Sequence, residues 1–192
     1  MIMRLARGSG ARGLAAPRPI QKTGAGRIIH VRPLMSLTRS ELRAALALVG
    51  ADWREDSSNS GREPFRNRVR HDVIPAWEAA ARRDAGGGAA ISRTLLEEED
   101  LALECWLDEL DVIDAEKRLR LKSLKGKPRA IWRRALHRWL LIHRQSENLS
   151  RQGFEDLLAR IQEPRGSRFS LGKGSFARTR RGFLFFEQPS AR

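Results

Sequence analysis

Three short segments of this 192-residue chain carry side chains whose types and spacing suit chemistry. The first is Arg7-Gly8-Ser9-Gly10-Ala11-Arg12-Gly13-Leu14, preceded by Arg4. Glycine lets the backbone approach a ligand closely and interleaved guanidinium groups supply positive charge, which is what contact with phosphate or a nucleotide requires. A flexible basic loop has the same composition. The second is Glu55-Asp56-Ser57-Ser58-Asn59, where carboxylates stand beside hydroxyls and an amide. That set can hold a cation, a sugar hydroxyl or an amine, and it also spells an Asx turn followed by a helix cap. The third is Arg66-Asn67-Arg68-Val69-Arg70-His71. On a helix Arg66 and Arg70 share a face and repel unless an anion lies between them, and Asn67 and Arg70 can jointly hold a phosphate or carboxylate. A solvated basic face is the alternative.

Charge narrows the partner. The chain has 37 Lys and Arg against 23 Asp and Glu, a formal net charge of +14, and only six of the basic residues are lysine. The planar donor fork of arginine fits phosphate oxygens and stacks on bases, so the bias points to a polyanion. A high-GC coding bias also enriches Arg, Ala and Gly. The single cysteine, Cys105, excludes an internal disulfide, and His30, His71, His137 and His143 are too scattered to form a metal cluster. These features describe a cytoplasmic, metal-free protein. No apolar run approaches the ~20 residues that span a bilayer, so no membrane role is expected. Residues 1–40 hold eight basic residues and no acid, as in an organellar transit peptide, but Gly8, Gly10, Gly13, Pro17 and Pro19 break the amphipathic helix such a peptide needs.

The elements that must position these groups are mostly helical. Ile28, Ile29 and Val31 suit a short strand ended by Pro33. Thr38 and Glu41 form a capping box for a helix with Leu42, Leu46 and Val49 on one face and Gly50 at its end. Phe65, Val69, Val73 and Trp77 are spaced as a buried stripe, with a kink or fresh start at Pro75. Gly86-Gly87-Gly88 reads as a linker and marks a domain boundary. Beyond it, Glu97 to Glu116 holds ten acids and no base, and Lys117 to Ser146 eleven bases and no acid, so the two segments suit pairing as antiparallel helices. Pro128 begins the second of them, with Ile131, Ala135 and Trp139 as its apolar stripe. Ser150 caps a further helix with Leu149 and Phe154 as a hydrophobic staple and Pro164 at its end; three strands then follow, from Arg168, Ser175 and Phe183, as a small meander.

The order of the motifs carries a resemblance. Arg7-Gly8-x-Gly10-x-x-Gly13-Leu14, Arg32-Pro33-Leu34, Glu41-Leu42, Trp53-x-Glu55-Asp56-x-Ser58-Asn59, Arg66-Asn67-x-x-Arg70 and Pro75 together resemble the tRNA(Ile)-lysidine synthetase family over nearly the whole chain. The resemblance implies a mainly α chain with a small β-meander. Residues 1–85 would be the C-terminal part of an α/β ATP-pyrophosphatase-type catalytic domain, and residues 86–192 a helical substrate-binding domain with a terminal hairpin. It implies a carbon–nitrogen ligase that activates the wobble cytidine of isoleucine tRNA with ATP and Mg2+, after which the lysine side-chain amine displaces AMP to form lysidine. Its partners would be the anticodon region of isoleucine tRNA and lysine, and a homodimer is compatible with it.

Carried onto this sequence, the family pattern assigns Arg7, Gly8 and Gly10 to the nucleotide loop. Asp56, Asn59 and Arg70 become the catalytic set, and Arg66, Asn67 and Arg70 the RNA or phosphate contacts. The family's early Ser-Gly-Gly-x-Asp-Ser loop and its His-x-x-Asp-Asp-x-x-x-Thr segment do not occur in these 192 residues. The expectation is therefore an N-terminally truncated member with most of its ATP site missing and no turnover of its own. A non-catalytic basic tRNA-binding module is the alternative, and a decayed fragment without stable function is a third.

Overall fold

A computed structural model describes residues 1–23, 28–54, 61, 63–163 and 166–188. The chain divides into two units, Met1–Asp100 and Leu101–Arg192.

In the first unit, helices α1 (Ile2–Leu5) and α2 (Ala11–Leu14) precede an antiparallel pair, β1 (Ile20–Thr23) with β2 (Ile28–Val31), in which Ile20 lies opposite Val31. Helix α3 (Arg39–Leu48) starts on the expected capping box: Thr38 Oγ1 accepts from the Glu41 N–H at 3.2 Å, and the Glu41 carboxylate accepts from the Thr38 N–H at 2.6 Å. The Thr38 N–H and hydroxyl, both donating to this carboxylate, hold the Glu41 carboxyl below its ordinary pKa. Helix α4 (Phe65–Arg68) runs through a π-helical turn, Val69–Val73, into α5 (Ile74–Ala81). Pro75 has no N–H to give, and the turn before it widens so that the Ile74 N–H reaches the Val69 carbonyl. This is the fresh start expected at Pro75.

Two expectations for this region are corrected. Among the described residues of the first unit, the buried apolar side chains are Ala15, Val69 and Ala85. Of the stripe Phe65, Val69, Val73 and Trp77, only Val69 is buried, and Val73 is 44% exposed. Spacing places side chains on one face, but burial needs a closely packed opposing surface, and Val73 and Trp77 instead line an open cavity with Ile2 and Leu5. The glycine triplet is not a linker either. It forms the first turn of α6 (Ala85–Glu109), the longest helix. The Asp84 carboxylate accepts from the Gly87 N–H at 2.7 Å, satisfying one of the free amides at the helix start. That local bond, with alanines on either side of the triplet, offsets the helix cost of three glycines. The division into units falls within α6.

The second unit contains the main core. A short strand β3 (Leu119–Arg120) leads through a 3₁₀ turn, Leu121–Leu124, to α7 (Arg129–Ile142) and α8 (Arg151–Gln162). Strands β4 (Arg168–Gly172), β5 (Ser175–Arg180) and β6 (Phe183–Glu187) follow and form an antiparallel sheet of order β3-β6-β5-β4. Ile131, Ala135, Leu136, Trp139 and Leu140 of α7 pack with Leu157, Leu158 and Ile161 of α8 and with Leu107, Leu119, Leu171 and Leu184. The Ser150 hydroxyl accepts from the Gly153 N–H at 3.1 Å, so α8 starts where its cap signal lies. Pro164, expected to end α8, lies outside the described residues. No described helix is long and apolar enough to cross a membrane.

The acidic and basic segments do meet, because Glu104 pairs with Arg134 and Arg138, and Asp108 pairs with Arg138. The partners advance in the same direction along both segments, so these pairs do not follow the antiparallel order expected. The intervening residues, with β3 and the 3₁₀ turn, are long enough to release α7 from a tight antiparallel return.

Candidate functional site

The loop Arg7–Gly10 joins α1 to α2, and its backbone is determined by the end of α1. The Gly8 N–H donates to the Leu5 carbonyl at 2.9 Å and the Ser9 N–H to the Arg4 carbonyl at 3.0 Å. This is a Schellman closure with Gly8 in its left-handed position at φ 67°, a conformation that glycine adopts without penalty. The Arg7 N–H is also turned inward, toward the Arg4 carbonyl. The loop is braced across its mouth by Arg4, whose guanidinium donates to the Gly13 carbonyl at 2.6 Å. Gly13 is needed for packing: a Cβ there would lie 2.8 Å from Ser9 Cβ. What remains for a ligand is the exposed Arg7 side chain, which among the described residues makes no ion pair. Arg7 suits a phosphate, while the amides of residues 7, 8 and 9 are already used and provide no cradle for one.

Asp56 and Asn59 lie outside the described residues. The Arg66-Asn67-x-x-Arg70 segment occupies α4 and the start of the π-helical turn. Its members face different surroundings: Arg66 is exposed, Arg70 half-buried and Asn67 buried. The Asn67 amide donates to the Gly61 carbonyl at 2.6 Å, so it ties the start of α4 to the chain leading into it. A cavity of about 580 Å³ is lined by Ile2 and Leu5 of α1 together with Val73 and Trp77. Among the described residues no group of three or more His, Cys, Asp and Glu side chains is placed to hold a metal ion.

Sequence reasoning missed a polar anchor elsewhere in the first unit. Arg18 pairs with the buried Asp100 and, at 3.6 Å, with Glu97. Arg93 donates to Glu97 at 3.2 Å and to the Ala15 carbonyl at 3.4 Å. Asp100 stands in an acidic run that reads as a solvated face, and only its burial distinguishes it from its neighbours.

In the second unit, six of the eleven bases of the 117–146 run are paired with carboxylates. Arg129 and Arg133 share Glu155, whose carboxyl is lowered to about 2, chiefly by its hydrogen bond from Arg133. Burial opposes ionisation of Glu104, yet the Arg138 and Arg134 guanidiniums outweigh it and hold that carboxyl below its ordinary value. Arg118 is paired with Asp114 and Glu116, and Arg120 with Asp111.

With this geometry described, similarity to known proteins places the chain. Residues 1–77, which include the Arg7 loop and the Arg66–Arg70 segment, match the PP-loop domain family of ATP-binding proteins. A protein named tRNA(Ile)-lysidine synthase from Solibacter usitatus is 34% identical over 72% of this chain and 31% of its own length. Its namesake from Thermobifida fusca is 35% identical over 72% of this chain and 41% of its own. The one from Pseudomonas aeruginosa is 32% identical over 73% of this chain and 34% of its own. The chain belongs to the tRNA(Ile)-lysidine synthase family. It spans less than half the length of these relatives.

Proposed function

We propose that this chain serves the lysidine modification of isoleucine tRNA. The observation that carries the reading is the continuity of the similarity: it covers about 72% of the chain rather than the PP-loop residues alone. In this reaction ATP activates the C2 oxygen of the wobble cytidine, and the lysine side-chain amine then displaces AMP. The Arg7 guanidinium supplies positive charge for phosphate, on a loop whose shape is set by Gly8 and Gly13. Arg66 and Arg70 supply charge for phosphate or RNA, on a helix anchored by Asn67. Asp56 and Asn59 are assigned to the lysine and cytidine end by the family pattern alone. The reaction belongs to the cytoplasm, and residues 1–85 and 86–192 are the proposed catalytic and substrate-binding portions.

A second reading, a tRNA-binding module without turnover, is favoured by one observation: the amides of residues 7, 8 and 9 are bonded within the loop and provide no cradle for phosphate. The two readings separate in one experiment. The 192-residue polypeptide is mixed with isoleucine tRNA transcript, ATP and lysine, with pyrophosphate release and tRNA binding followed in parallel. Binding that prefers isoleucine tRNA over other tRNAs, with no pyrophosphate above blank, is the expected result. Turnover would show that this polypeptide suffices for the chemistry. Binding with no preference among tRNAs would overturn the assignment to lysidine formation.

A further inference from the structure

The guanidiniums left over after the ion pairs of α7 are gathered elsewhere in the second unit. Burial alternates along β5, with Ser175, Ala177 and Thr179 buried and Arg178 and Arg180 exposed. On the outer face the sheet register places Arg168 opposite Arg178, Arg178 opposite Phe185, and Arg180 opposite Phe183. Arg168, Arg178 and Arg180 therefore share one face of three strands with Phe176, Phe183 and Phe185. Arg168 lies 3.6 Å from the centroid of the Phe176 ring, and Arg118 covers Phe183 and Phe185 at 4.7 and 5.6 Å. One edge of this face opens into a cleft of about 640 Å³ lined by Arg168, Arg178, Arg180, Arg181, Thr179 and Glu187, among others.

Four guanidiniums of the cleft face one carboxylate. Glu187 takes Arg168 and Arg178 at 3.2 Å each, and its acidity is raised by both. Arg180 and Arg181 make no ion pair among the described residues. Arg181 opens the β5–β6 turn at φ 50°, ahead of Gly182 at φ 81°. The left-handed region is uncommon for a residue with a side chain, and here it holds a cation at the rim of a basic cleft.

We propose that this cleft binds the sugar–phosphate backbone of tRNA, with the Arg–Phe lattice beside it as the flanking platform. Arginine meets phosphate oxygens bidentately and stacks on rings, so one surface can serve both the backbone and an unstacked base. A lipid surface fits less well, because guanidiniums cover the Phe176, Phe183 and Phe185 rings. The identity of the RNA rests on the function proposed above; the location of the contact does not.

The test uses the full chain and isoleucine tRNA transcript across a salt series. Removing two phosphate contacts with R180Q/R181Q should weaken low-salt binding at least tenfold and lower the slope of log K against log salt by about two. R144Q/R151Q removes equal charge outside the cleft and should change the slope by less than one. Equal effects of the two pairs, or none from the first, would overturn the proposal. The unaltered chain provides a readout that does not depend on variant folding: photocrosslinking to the transcript should label peptides within residues 166–188, and their absence among crosslinks counts against the cleft. Inorganic phosphate competing as well per phosphate as the transcript would make this a single-anion site and overturn it. So would anionic phosphatidylserine vesicles whose binding is lost in R180Q/R181Q while tRNA binding persists. A cleft-dependent complex with no preference for isoleucine tRNA would remove the lysidine reading and leave this one standing.

Discussion

Glu155 accepts from two guanidiniums, Arg133 and Arg129, at the meeting of α7 and α8, and its carboxyl is lowered to about 2 from an ordinary value of 4.5. A group whose folded pKa lies below its unfolded one adds stability above the unfolded pKa and loses it as pH falls toward the folded value. The second unit should therefore weaken between about pH 4.5 and pH 2, with Glu104, Asp114 and Glu187 acting in the same direction. E155Q should lower stability at pH 7 and flatten that acid limb, as measured by urea melts at a series of pH values. An unchanged acid limb would mean that these exposed pairs are screened to nothing. The same accounting shows why composition alone does not locate a contact for a polyanion: guanidiniums that share Glu155 and Glu104 offer less free charge than their number suggests.

Helix α8 illustrates how elements rest on opposing surfaces. Leu157 is 1% exposed and packs in the core shared with α7 and the sheet, so Leu157→Ala should cost about 3 kcal/mol, measured as the shift in the denaturant midpoint of the second unit. The exposed Leu48 of α3, changed in the same way, should cost well under 1 kcal/mol. α8 and the meander were legible in the sequence because their signals are local: Ser150 as a cap, Gly172-Lys173-Gly174 as a turn, and alternation between them and Glu187. β1 and β3 were not, since a four-residue and a two-residue strand exist only through the partners they pair with. The stripe at Phe65, Val73 and Trp77 failed for the converse reason, having correct spacing but no closely packed surface over it. Of the candidate site, the Arg7 loop and the Arg66–Arg70 helix were visible as motifs. The burial of Asn67 and Asp100 was not, because neither residue type announces a buried partner, and the cleft at Arg180 needed the strand register to assemble it.

At the scale of the molecule the two units differ in how they are held. Sixteen buried apolar residues form the core of the second unit, whereas the described part of the first buries Ala15, Val69 and Ala85 and relies on polar anchors such as Arg18 with Asp100. Hydrogen exchange should find slow amides in α7, α8 and β5, and exchange in α3 and the β1–β2 pair faster by orders of magnitude. Comparable protection in both units would contradict this division. The exposed apolar residues of the first unit, among them Ile20, Ile29, Leu48 and Ile91, carry a further consequence in colloidal terms. A net charge of +14 holds copies of the chain apart by mutual repulsion, and that repulsion is what keeps such sticky patches from meeting. The charge proposed to meet a polyanion would thus also act as a dispersant: added salt, by screening it, should promote self-association of the chain, measured by light scattering across a salt series.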